Sequence, residues 1–298
     1  MKWSRLTVVM AAYNMIRKSL RLIQRLSRPW LRQAPARLHF LKRGRSSTLF
    51  ETNSSPDRDA SSHQRVLAVL GMHRSGTSLL TGTLQEAGLV LGDVVTAAPF
   101  NQKGNRESLP IRTLHDDLLA AAGGSWSNPP DRVSWRPVHQ ALRDELIARF
   151  ADEPIWGFKD PRTLFCLEGW LDVLPDLELV AIVRHPLEVA ASLQARDGLP
   201  LDQGVRLWQQ YNECLFRWAS RRPIQVLVFD ANPQSMRSKL AKLLAQLQLP
   251  RSLESDELTF FAPELRHQEA DAITWPSREC EQSALGLFTQ LSGLSIQA

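Results

Sequence analysis

Cysteine is scarce: three residues, Cys166, Cys214 and Cys280, in a chain of 298. Their number is odd and their spacing is that of no metal site. This excludes a disulfide framework and points to free thiols in a reducing compartment, hence a cytoplasmic protein. Long apolar runs are missing too. Nothing approaches the ~18 consecutive apolar residues of a spanning helix. Acid is absent from residues 1–45, which hold many Lys and Arg and no Asp or Glu. The net charge of +5 therefore belongs to the start of the chain, and the remainder is mildly acidic. A basic isoelectric point says little here about the active site, and no nucleic-acid partner is expected. What is present is ordinary for a soluble globular protein: 43% hydrophobic and 22% charged residues, enough for one sizeable core.

The first segment, residues 1–45, opens on Leu6-Thr7-Val8-Val9-Met10-Ala11-Ala12-Tyr13, short and apolar, followed by Arg17, Lys18, Arg21, Arg25 and Arg28. A signal peptide needs a longer apolar stretch and an uncrowded cleavage site. From Ile16 to Leu31 apolar and basic residues alternate at helical spacing. Two readings fit equally: a basic amphipathic helix on an anionic membrane or partner, and a solvated basic arm. Residues 46–64 are rich in Ser, Asp, Asn and Thr and read as a linker. The folded domain is expected over residues 65–298.

That domain begins on Val66-Leu67-Ala68-Val69-Leu70, the pattern of a strand buried on both faces. It breaks at Gly71, runs through Met72-His73-Arg74-Ser75, and reopens at Gly76-Thr77-Ser78 as a helix. Strand, glycine-bounded loop and helix N-terminus make an anion site, because free backbone N–H groups and the positive end of the helix dipole face the loop. The Gly71–Gly76 spacing is that of a phosphate-binding loop, yet Thr77 stands where a nucleotide hydrolase needs lysine. Arg74 supplies charge from inside the loop instead. Further strands are expected at Ile155–Lys159, Leu177–Val183 and Ile224–Phe229. Helices are expected at 77–87, 108–122, 137–150, 161–171, 186–195, 201–221, 234–247 and 280–294. Strands alternating with helices imply a parallel sheet flanked by helices, with ligands at the carboxyl ends of the strands. Three such ends carry polar residues: Gly71–Ser78, Lys159–Arg162 and Arg184–His185.

Four stretches in this order resemble the sulfotransferases that use 3′-phosphoadenosine-5′-phosphosulfate (PAPS), in their bacterial-type subgroup. They are Gly71-Met72-His73-Arg74-Ser75-Gly76-Thr77-Ser78, Asn101-x-Lys103-Gly104-x-x-Glu107, Phe158-Lys159-Asp160-Pro161-Arg162, and Val183-Arg184-His185-Pro186 through Ser192-Leu193. The resemblance covers about four-fifths of the chain and implies a P-loop-like α/β fold. It implies donor contacts at Gly71, His73, Arg74, Ser75, Gly76, Thr77 and Ser78 around the 5′-phosphosulfate, and at Arg184 and Ser192 around the 3′-phosphate. Arg74 would stabilise the leaving oxygen. Glu107 would take the acceptor's proton, with His73 and His115 in reserve, and Lys159 would reach donor or acceptor. The acceptor would be a hydroxyl, or an amine, of a carbohydrate, lipid or small molecule, with no metal. A second resemblance, of Thr7–Asn14 to the first strand of a family 2 glycosyltransferase, fades within thirty residues.

Each residue also has a plainer reading. Arg74 can be a surface arginine on a tight turn, Arg184 a structural ion-pair partner, and Glu107 an acid favouring the helix after Ser108. Trp126, Trp135, Trp156, Trp208 and Trp218 can line a site or fill the core. Two functional rivals stand beside the leading one. A nucleotide kinase or hydrolase would use Asp230 at a strand end to hold magnesium. A non-catalytic nucleotide-binding protein would sit on a membrane surface through residues 1–45.

Overall fold

The computed structural model describes residues 64–97, 103–254, 256–260 and 273–296. The basic segment, the glycosyltransferase-like stretch and all of the expected linker except Gln64 lie outside them. Strand β1, Arg65–Leu70, sits between β2, Ile155–Lys159, and β3, Glu178–Val183; β4, Gln225–Val228, pairs with the far side of β3. The order β2-β1-β3-β4 is parallel throughout. Parallel neighbours need long crossovers, and helices supply them. Among the described residues the crossover helices are α1 (Thr77–Glu86), α2 (Leu109–Ala121), α3 (Pro137–Ala148), α4 (Thr163–Leu171), α5 (Pro186–Asp197) and α6 (Leu201–Ala219); α7 (Pro233–Leu247) and α8 (Arg278–Gly293) follow β4. No described helix is long and apolar enough to cross a membrane.

Strand side chains alternate between faces, so each strand feeds two cores. From β1, Val66, Ala68 and Leu70 enter one core; Leu67 and Val69 enter the other. From β3, Leu179, Ala181 and Val183 join the first, Val180 and Ile182 the second. Helices α1 and α7 close the second core with Leu80, Leu84, Met236, Leu240, Leu243 and Leu244. The remaining helices close the first, around the fully buried Trp156, Trp170, Trp208 and Tyr211. Each such side chain stabilises the fold by roughly 1.5–3 kcal/mol relative to exposure. This explains the unbroken apolar strands of the sequence: neither sheet face meets water.

Element ends differ by a residue or two from expectation, with local causes. Helix α4 starts at Thr163, not Pro161, because the Asp160 carboxylate accepts from Arg162 N at 3.2 Å and closes a turn first. Ser108 occupies the N-cap position of α2 in extended backbone but makes no side-chain cap bond. Asn232 caps α7, accepting from Gln234 N and Ser235 N, both at 3.0 Å.

Gly71 is where the sheet meets the loop. Its φ of 136° is open to glycine, and a Cβ there would lie 2.5 Å from the Ile182 carbonyl oxygen of β3. Gly71→Ala should therefore separate β1 from β3 and lower unfolding free energy by about 2–4 kcal/mol in urea titrations.

Candidate active site

The register of the sheet assembles the site. Lys159 pairs with Val69, and Ala181 with Leu70, so the ends of β2, β1 and β3 stand side by side. The loop from Gly71 to Gly76 leaves the middle one. Gly76, at φ 95°, turns the chain into α1, and Arg74 holds a left-handed φ of 66°. A left-handed arginine is uncommon, and it aims the residue out of the loop's own plane. The Ser75 hydroxyl is buried within the loop and has no hydrogen-bond partner. An orphaned buried hydroxyl beside a helix N-terminus is a group that a bound anion would satisfy.

Arg74 joins this loop to the next helix: its Nε donates to the Ser192 hydroxyl of α5 at 2.8 Å. Arg184, at the tip of β3, donates from Nη1 to the Arg74 carbonyl at 3.4 Å and from Nε to Glu188 at 2.6 Å. Its guanidinium lies 4.9 Å from the centre of the Phe229 ring, and Trp208 Nε1 donates to its carbonyl at 3.0 Å. Arg74 thus contacts residues of both expected anion sites, Ser192 and Arg184. Burial, then the charges of Arg196 and Arg184, push the Arg74 pKa down to about 10. Arg74 remains charged at neutral pH, in a field that an arriving anion would relieve. Glu188 and Arg196 were not foreseen. Arg196 follows Ser192 by one helical turn, so the i, i+4 rule places it on the same face.

The third strand tip carries Lys159, which is 2% exposed and ion-paired at 2.8 Å with Glu107, itself 6% exposed. Burial lowers the Lys159 pKa, and the neighbouring Glu107 carboxylate opposes that shift. Beside them Asp160 is a buried hub, accepting from His115 Nδ1 at 2.9 Å and from Arg162 Nη1 at 2.8 Å. Trp170 Nε1 donates to His115 Nε2 at 2.9 Å. That nitrogen therefore carries no proton, and Nδ1–H is the one given to Asp160. With both ring nitrogens committed, His115 is removed from the reserve bases. His73 lies under the loop with its ring 5.0 Å from Trp126 and 5.8 Å from Tyr211, and its Nε2 is buried without a partner. Burial, then the charge of Arg162, hold it far below the usual histidine range, so it is neutral.

Of the five tryptophans, Trp126 borders the loop, touching His73 and lying 5.6 Å below the Arg196 guanidinium. Trp156 and Trp208 are core. Trp135 packs on Trp170, and Trp218 Nε1 donates to the Leu164 carbonyl. Thr77 is buried at the start of α1, and the Ser78 hydroxyl donates to the Asn105 carbonyl at 3.2 Å. Asp230 is fully engaged in local structure: it accepts from Asn232 N, the Ser235 hydroxyl and Lys239 Nζ, at 2.6–2.9 Å. It braces the start of α7, which leaves the kinase reading without its magnesium acid as well as without its lysine. No cluster of three or more metal-ligating side chains occurs among the described residues.

No protein-family model and no curated protein matches the chain. Solved structures do. The sulfotransferase domain from the curacin biosynthetic pathway is 15% identical, with 79% of this chain and 99% of that one covered and a TM-score of 0.48. The sulfotransferase domain of the Synechococcus PCC 7002 olefin synthase is 16% identical, with coverages of 77% and 96% and a TM-score of 0.49. A sulfotransferase from Alicyclobacillus acidocaldarius is 14% identical, with coverages of 78% and 94% and a TM-score of 0.43.

Asp160 also gives a measurable pH signature. Burial alone would raise its pKa, but the His115 hydrogen bond and the Arg162 charge outweigh burial and hold it below the usual carboxylate range. A depressed folded-state pKa contributes stability above the unfolded value of about 3.9, and loses it as pH falls below that. Asp160→Asn should cost about 3 kcal/mol or more near pH 7, by leaving Arg162 and His115 short of a carboxylate. In paired urea titrations the gap between the two proteins should hold above about pH 5 and narrow steadily below pH 4.

Proposed function

We propose that this chain transfers a sulfuryl group from PAPS to an acceptor hydroxyl or amine. The acceptor class is a carbohydrate, glycolipid or small molecule. The observation that carries the reading is the link from the anion loop, through Arg74, to Ser192 and Arg184. A donor with phosphate at both its 5′ and 3′ positions needs two anion contacts within one nucleotide's reach. The loop has no lysine after Gly76, which suits a group that grips a phosphate without transferring it.

The donor supplies an activated sulfur whose bond to a phosphate oxygen breaks. In this reading Gly71, His73, Ser75, Gly76, Thr77 and Ser78 shape the 5′ cradle, with loop amides and the Ser75 hydroxyl as donors. Arg74 stabilises the charge that gathers on the leaving phosphate oxygen. Arg184 and Ser192 hold the 3′-phosphate, and Glu188 fixes the guanidinium's orientation. Glu107 accepts the acceptor's proton as the acceptor oxygen closes on sulfur. Lys159 holds the Glu107 carboxylate in place through their 2.8 Å ion pair. The same reading assigns residues 65–298 as the catalytic domain of a cytoplasmic enzyme. It places the basic residues 1–45 at an anionic membrane surface.

The test is calorimetric titration with the desulfonated nucleotide, 3′-phosphoadenosine-5′-phosphate (PAP), followed by an acceptor screen with labelled sulfate. Arg74→Ala should lower kcat about 100-fold with little change in PAP Kd. Arg184→Ala should weaken PAP binding about 10- to 100-fold, the worth of a charge-assisted contact. Unaltered kinetics and binding in both would refute the assignment. Glu107→Gln should lower kcat by about 100-fold or more at unchanged PAP Kd, measured by single-turnover sulfate transfer.

A further inference from the structure

The loop that carries Glu107 is held from a distance. Lys103 to Glu107 includes Arg106 at a left-handed φ of 55° and Gly104 at φ 75°. A β-carbon on Gly104 would lie 2.3 Å from the backbone of Thr96. Two backbone bonds tie the loop to Val95: Arg106 N to Val95 O at 3.0 Å, and Val95 N to Glu107 O at 3.1 Å. A non-glycine residue persists in a left-handed conformation only when its surroundings impose it.

The surroundings come from the other end of the chain. The Phe260 ring has the Lys103 ammonium 5.1 Å from its centre and the Arg106 guanidinium 5.0 Å from it. Lys103 Nζ also donates to the carbonyls of Thr259 and Phe260, at 2.9 and 2.8 Å. The ring also packs on α1 at Gly82, where an added Cβ would collide with ring carbons. Glu86 of the same helix accepts from Phe260 N at 3.0 Å and from the Thr259 hydroxyl. Arg237 of α7 donates to the Leu258 carbonyl at 2.9 Å, and Leu258 is fully buried.

We propose that Phe260 is a positioning residue, a ring wedged between Gly82 and the Lys103–Arg106 cation pair that fixes the Glu107 loop against the helix following the anion loop. It touches neither donor nor acceptor and acts through Glu107. The physical basis is additive. Two cations on one aromatic ring gain cation–π energy and lock the left-handed turn, while the glycine beneath leaves room for the ring. The chemical consequence rests on the proposed sulfuryl transfer; the structural one does not.

Two variants test this from opposite sides. Phe260→Ala removes the ring. Gly82→Ala leaves the ring but occupies its seat, and alanine for glycine inside a helix is ordinarily stabilising. Both should speed hydrogen exchange at the Arg106 and Val95 amides by about tenfold or more, with protection elsewhere in α1 retained. Both should lower kcat about tenfold with PAP Kd within about twofold, the pattern of a misplaced base rather than a damaged donor site. Phe260→Tyr, which keeps the ring, should restore both readouts. Exchange at Arg106 and Val95 unaltered in both variants overturns the proposal. So does wild-type kcat in Phe260→Ala. If the unaltered chain neither binds PAP nor transfers sulfate, the functional reading falls, and the exchange measurement still decides the clamp.

Discussion

The approach of Gly71 to the Ile182 carbonyl is the contact on which the site depends. β1 can lie between two parallel neighbours, and still turn at once into a loop, only because no side chain intervenes at its last step. Everything polar follows from that placement. The register then sets Lys159 beside Val69 and brings Arg184 to the tip of the adjacent strand. Unbroken apolar strands drive the sheet to bury both faces, and burial of both faces forces the polar groups to the strand ends. The polar cluster at the strand tips is thus a by-product of how the core closes.

The sequence was most legible where the physics is local. Apolar runs marked the four strands, and Gly71 and Gly76 marked the loop, because strand burial and left-handed turns leave signatures within a few residues. Segment order then implied a parallel sheet. What stayed hidden is long-range. Glu107 pairs with Lys159 across 52 residues, and His115 meets Asp160 across 45. No spacing rule predicts either, since the partners are brought together by helix packing and not by chain geometry. Arg74 was visible as a cation, but its reach to Ser192 was not, because that depends on a left-handed φ which arginine does not advertise. Phe260 reads in the sequence as one more apolar residue. Its role exists only once Gly82 and the two cations surround it.

The buried charges divide into two kinds, and the division bears on mechanism. Asp160 has every visible demand met by His115 and Arg162, with Asp116 on the far side of the guanidinium. Groups so satisfied are structural: they hold the tip of β2 and have no proton to offer. Glu107 and Lys159 are paired more sparely, one cation to one carboxylate in a nearly dry setting. A lone buried pair is a weak source of stability, because desolvation offsets most of the attraction. The proposed base role of Glu107 draws on that sparseness, since a carboxylate held by one cation keeps acceptor capacity that a network would use up.

The loop's own residues differ from those that phosphoryl transfer uses, which is what the proposed sulfuryl transfer draws on. A nucleotide kinase neutralises a polyphosphate with a loop lysine, a metal and an acid that holds the metal. Here the lysine position is Thr77, and the acid nearest in topology, Asp230, is occupied by the capping groups of α7. Arginines stand in their place, three of them close enough that Arg74 is shifted by the charges of the other two. Guanidiniums bind oxyanions through directed N–H donors and stay charged when buried. In the proposed reading, a donor that leaves as adenosine 3′,5′-bisphosphate would meet one guanidinium at the bridging oxygen and another at the 3′-phosphate.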